Sequence, residues 1–121
     1  MRRRLVPPAL LAAAVAISSI VYAEPPTAHL VIKDRVFTVQ ELTLPADTKV
    51  KLVVENLDSI PAEFESYDLS REVVVPGHSS IVVYIAPLAP GRYNFFNDFN
   101  HAAQGWVVVN PPGQSKTGGG E

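Results

Sequence analysis

Cysteine is absent from the 121 residues, and the single methionine is the first of them. Such a chain forms no disulfide and offers no thiolate as nucleophile or metal ligand. Long apolar runs are missing too. The run "LLAAAVAISSIV", Leu10 to Val21, falls short of the roughly 20 apolar residues that cross a bilayer comfortably. No glycine-rich phosphate loop is present, and Ser66, Ser79 and Ser80 lack a persuasive histidine–carboxylate partnership. Kinase and hydrolase readings are thereby excluded.

What is present begins with a leader. Arg2, Arg3 and Arg4 precede the apolar run, and Val21-Tyr22-Ala23 gives way to Glu24-Pro25-Pro26. A basic start, a short apolar stretch and a small residue before a polar break predict a secretory signal over residues 1–23, cleaved after Ala23. Ten basic side chains include those three arginines, so the remainder carries seven against twelve acidic ones, a net charge of −5. Nucleic acid, which needs a basic footprint, is excluded as a partner. A cation suits this balance. Residues 111–121, with prolines, glycines and no apolar periodicity, are expected to be disordered. One domain, 28–110, is left.

Nothing in that domain reads as a helix. The runs 28–33, 36–39, 41–44, 49–56, 79–86, 91–96 and 105–110 are β-branched, aromatic or alternating. Val50, Leu52 and Val54 share one face of theirs, and Pro76-Gly77 and Pro90-Gly91 are placed as type II turns between strands. The pattern predicts an all-β sandwich of about seven or eight strands.

The order of pieces narrows the choice. "VFTVQELTLPADTKVKLVVENLDSIPAEFES" and "APGRYNFFNDFNHAAQGWVVV" resemble the two halves of a cupredoxin, a Greek-key β-sandwich. The resemblance implies ligand positions near Ala62 or Glu63, near Asn97, at His101 and after Gly105. Where a blue-copper protein has cysteine and methionine this chain has Asn97 and Trp106, so no blue-copper centre is expected. "AEFESYDLSRE", "PLAPGRYNFFNDF" and "QGWVVV" are similar to the cysteine-free cupredoxin-like periplasmic proteins that accompany bacterial iron permeases. That family's Asp-Asp-Phe-His series is replaced by Asn97-Asp98-Phe99-Asn100, with histidine one place later at His101.

In an extended segment Glu63 and Glu65 project to one side, their α-carbons roughly 6.5–7 Å apart, while Phe64 faces the core. The resemblance brings Asp98 and His101 to the same end of the sandwich. Glu63, Glu65, Asp98 and His101 are therefore the expected metal ligands, for iron, copper or both. The implied function is periplasmic metal handling for a membrane iron permease, with copper-assisted oxidation of Fe²⁺ left open. One alternative is a metal-free interaction module of the same fold. Another, for the glutamates alone, is the solvated face of an edge strand. His29 and His78 read as surface histidines, Asp68, Arg71 and Glu72 as an ion-pair cluster or a solvated run, and Trp106 as a core residue or steric cap.

Overall fold

The computed structural model describes residues 2–19 and 23–113. Nine strands run through it: β1 (Thr27–Lys33), β2 (Val36–Phe37), β3 (Glu41–Leu44), β4 (Val50–Asn56), β5 (Ala62–Ser66), β6 (Arg71–Val75), β7 (Ser79–Ile85), β8 (Gly91–Asn97) and β9 (Asn100–Val109). No helix occurs among the described residues. One sheet has the order β2-β1-β4-β7 and the other β3-β9-β8-β5-β6. Parallel pairs β1–β4 and β3–β9 sit among antiparallel neighbours. This is the expected all-β sandwich.

Alternation explains the core. Val50, Leu52 and Val54 of β4 are buried on one face, joined from the same sheet by Leu30, Ile32, Val83 and Ile85. The facing sheet contributes Leu44, Phe64, Val75, Phe95, Val107 and Val109. Phe95 is the hub: its ring meets Phe37 edge-on at 4.8 Å and lies 5.6 Å from Phe64. Such aromatic pairs add to the stabilisation from their area alone.

Gly105 on β9 lies against this hub. A Cβ there would collide with the Phe95 ring edge and press on the Gln40 carbonyl oxygen at 3.2 Å. We expect Gly105→Ala to cost about 1–3 kcal/mol as an overpacking change. That would lower the melting temperature by about 4–8 °C for each kcal/mol. Calorimetry showing an unchanged transition would contradict the contact.

Several expectations need correcting. β6, "REVVV", was not expected as a strand, and it lies at the edge of its sheet. The run at 36–39 yields only the two-residue β2, because Asp34 and Arg35, with φ of 53° and 65°, fold β1 back as a two-residue hairpin. Both φ values are costly for residues with a Cβ. Their amides are held by the Asp58 carboxylate at 2.8 Å each. Neither Pro-Gly pair is a type II turn. Gly77 is pressed against the Ser59 carbonyl while His78 takes the positive φ of 52°, and Gly91 opens β8 at an extended 157°. Residues 20–22 of the expected cleavage region and residues 114–121 of the expected tail lie outside the described residues.

Candidate metal centre

β5 carries the site. Phe64 is fully buried in the core, so pleating sends Glu63 and Glu65 to the outer face of the five-stranded sheet. β5 is no edge strand: β6 flanks it on one side and β8 on the other. The edge-strand alternative for the glutamates therefore fails. Only 6% of Glu63 and 8% of Glu65 reaches solvent.

The β5–β6 connection supplies a third acid. Ser66 Oγ donates to the Asn94 carbonyl at 2.6 Å and accepts the Leu69 amide at 3.0 Å. This ties down a tight turn in which Ser70 has φ 54°. The register then sets Glu72 directly opposite Glu65. Ligand oxygens of Glu63, Glu65 and Glu72 all lie within 4.8 Å of one another. Like charges opposite each other across a ladder are destabilising. Among the described residues the ion pairs are Arg92–Glu41 and His101–Asp98, so no lysine or arginine neutralises the trio.

Asp98 and His101 stand beside it. The Asp98 amide donates to the Glu63 carbonyl at 3.0 Å. His101 Nε2 is 2.8 Å from Asp98 Oδ1, and the imidazole meets the Phe96 ring edge-on at 5.7 Å. Phe96 is the neighbour of Glu65 on β8. The four expected residues thus share one neighbourhood, but as two groups: Glu63 and Glu65 with Glu72, and Asp98 with His101. The expected ligand loop around Asn97 to His101 is a tight hairpin, with His101 already on β9.

The electrostatics follow from this crowding. Glu63 is pushed up to about 7, first by its hydrogen bond with the Glu72 carboxyl, then by burial and by the charges of Glu72, Asp98 and Glu65. Burial, with Asp98 and Glu72, also raises Glu65, while His101 and Tyr67 pull the other way. The charge of Glu65 raises the Tyr67 phenol in turn. Burial and crowded like charges both favour the protonated form here.

Glu72 is the residue that the sequence reading missed; it was grouped with Asp68 and Arg71. That grouping does not form. Arg71 donates to the Tyr84 and Ser70 carbonyls, and Asp68 accepts the Asn94 amide. The signal was available in "ESYDLSRE", where a four-residue turn between two short strands puts the outer glutamates opposite each other. Trp106 is neither core nor cap. It is 38% exposed on β9 beneath the Arg92 guanidinium, 5.1 Å from the ring centre. His29 and His78 are exposed, as expected of surface histidines.

The donor set decides what fits. At the place where a cupredoxin has cysteine, the Asn97 side chain is occupied by backbone partners: Oδ1 accepts the Glu63 and Phe99 amides at 3.1 Å each. Thiolate and thioether are both missing, so the residues do not fit a blue-copper ion. Carboxylate oxygens beside one imidazole fit harder cations.

Comparison with known proteins agrees on the scaffold. A family model described as a cupredoxin-like domain matches residues 8–109. An uncharacterized protein of Rickettsia prowazekii (strain Madrid E) is 44% identical over 82 residues, which cover 67% of this chain and 66% of that protein. The chain thus spans a little under two thirds of that relative. Auracyanin A, a "blue" copper protein from Chloroflexus aurantiacus, superimposes with a TM-score of 0.60 at 17% identity, over 72% of this chain and 100% of its own. The metal-binding domain of the Cu(I)-exporting P-type ATPase of Streptococcus pneumoniae D39 gives 0.60 at 10% identity, over 70% and 85%. Identities this low speak to fold alone. On the family match and the sandwich together, the chain belongs to the cupredoxin-like domain family.

Proposed function

We propose that this protein is an exported carrier that holds a hard cation, iron before copper(II), at Glu63, Glu65 and Glu72 for delivery to a membrane permease. The convergence of three carboxylates within 4.8 Å, with no basic side chain among the described residues paired to them, carries the reading. Burial of two of these acids is unfavourable unless a proton or a metal ion compensates. Carboxylate oxygen also prefers the more highly charged ferric ion. That preference biases bound iron toward Fe³⁺ without itself supplying an electron acceptor. Asp98 and His101 offer further donors at the rim.

Periplasmic placement and an iron permease as partner rest on the leader and on the likeness of "AEFESYDLSRE" to permease-associated proteins. The exposure of Leu5, Leu10, Leu11, Val15 and Ile17 supports a leader that contributes nothing to the core.

Fe²⁺, Mn²⁺ and Cu²⁺ should each be tested for their effect on the melting temperature. A cation at one hundred times its dissociation constant stabilises by about 2.7 kcal/mol. The double variant Glu63→Gln/Glu65→Gln should lose that gain. If no metal raises the transition of the wild-type protein, the carrier reading fails and the metal-free interaction module takes its place.

A further inference from the structure

Asn97 sits at the join of three elements. It is 2% exposed at the end of β8. Its Oδ1 accepts the Glu63 amide of β5 and the Phe99 amide of the β8–β9 turn, at 3.1 Å each. Its Nδ2 points to the Arg35 carbonyl of the β1–β2 turn at 3.5 Å. The β8–β9 register slips between Phe96 and Asn97, and the ladder resumes with Asn97 opposite Asn100 across the turn. The Asp98 amide completes the join on the Glu63 carbonyl at 3.0 Å. Glu63 is thus gripped at both its N–H and its C=O by consecutive residues of one hairpin.

We infer that Asn97 is the positioning residue of the acid cluster, setting where Glu63 stands relative to Asp98 and, through β5, to Glu65 and Glu72. The inference rests on the carrier reading, since it assigns Asn97 a role in cation affinity and not only in folding. Both polar atoms of the Asn97 side chain are engaged by backbone groups. Asn97 acts through the backbone of Glu63, as hydrogen-bonded supports of ligands do elsewhere. A carboxamide suits the task because one oxygen accepts two amides while the nitrogen donates to a third group. Alanine supplies none of these. Aspartate keeps the double acceptor and gives up the donor to Arg35, the longest of the three contacts.

Affinity for Cu²⁺, measured at a temperature where every variant is folded, separates positioning from stability. Asn97→Ala should weaken Cu²⁺ binding about 10–100-fold, the range found when supports of ligands are removed, and should alter the Cu²⁺ electron paramagnetic resonance spectrum. Asn97→Asp should restore both. Gly105→Ala, destabilised through Phe95 but with every hydrogen-bonding group of Asn97 left in place, serves as the control and should bind like wild type. Unchanged affinity in Asn97→Ala overturns the inference, and so does equal weakening in Asn97→Ala and Gly105→Ala. Should Asn97→Ala not fold, the decision falls to Asn97→Asp: near-wild-type binding and spectrum support the inference, and loss of both overturns it. Absence of Cu²⁺, Mn²⁺ and Fe²⁺ binding alike by the wild-type protein instead removes the carrier reading itself, a result distinct from any of these.

Discussion

Raising the pH of the metal-free protein from 4.5 toward 7 is expected to lower its melting temperature. Glu63 moves from the ordinary 4.5 to about 7 in the fold, so across that interval the native state holds a proton that the unfolded chain has released. Stability follows the difference in bound protons, and it falls with pH wherever the native state binds more. The contribution is fully present below 4.5 and is lost as the pH climbs to about 7. Glu65, raised as well, acts in the same direction. Glu63→Gln cannot ionise and should flatten the profile. On the carrier proposal a saturating cation should reverse it, because the ionised carboxylates would be the ligands and a proton would compete with the metal. Melting curves of chelator-treated and Mn²⁺-loaded protein across this interval decide the matter. Wild type and Glu63→Gln rising in parallel without metal would show that the shared proton contributes nothing.

Phe95→Ala should be the most damaging single truncation in the core. The ring is fully buried between Phe37 and Phe64 and also fills the space left by Gly105. Emptying such a site costs about 3–5 kcal/mol, out of about 5–15 kcal/mol that holds a typical domain. Trp106→Ala offers the contrast. The chain's single tryptophan is partly exposed, and its contact with Arg92 is worth about 0.5–1 kcal/mol at an exposed site. Urea denaturation of both variants gives the comparison directly, and a smaller loss at Phe95 than at Trp106 would refute this account of the core.

How much of this was legible in the sequence depended on how local each feature is. β4 was, because Val50, Leu52 and Val54 share one face with Lys51 and Glu55 on the other, and the strand lies mid-sheet. β6 was not. Arg71 and Glu72 give its first half the look of a charged connection, as suits an edge strand. Glu63 and Glu65 were legible through the likeness of Glu-Phe-Glu-Ser to the permease-associated family, and their spacing around Phe64 put them on one face. Glu72 joined them only through the β5–β6 register, and Asp98 and His101 pair with each other through a turn tighter than the expected loop. The turns misled for a related reason. Proline-glycine suggests a type II geometry, yet Gly77 answers to the crowding of Ser59, and the positive φ passes to His78.

The order in which the chain is made bears on when the acid cluster comes into being. β5 pairs with β8 through Phe64 and Asn97, and β3 pairs with β9 through Glu41 and Trp106. Closing such sequence-distant contacts is slow, because chain entropy is lost before the contacts repay it. The β5–β6 hairpin can form early, but a two-stranded hairpin alone is marginal in water. Glu63 has neither its Asn97 clamp nor the neighbouring charge of Asp98 until β8 and its turn have emerged. A nascent chain that has emerged only as far as β6 therefore has its glutamates but lacks their assembled arrangement. The complete acid neighbourhood, with Asp98 beside Glu63, is therefore a product of late folding and exists only once β8 and its turn have joined β5.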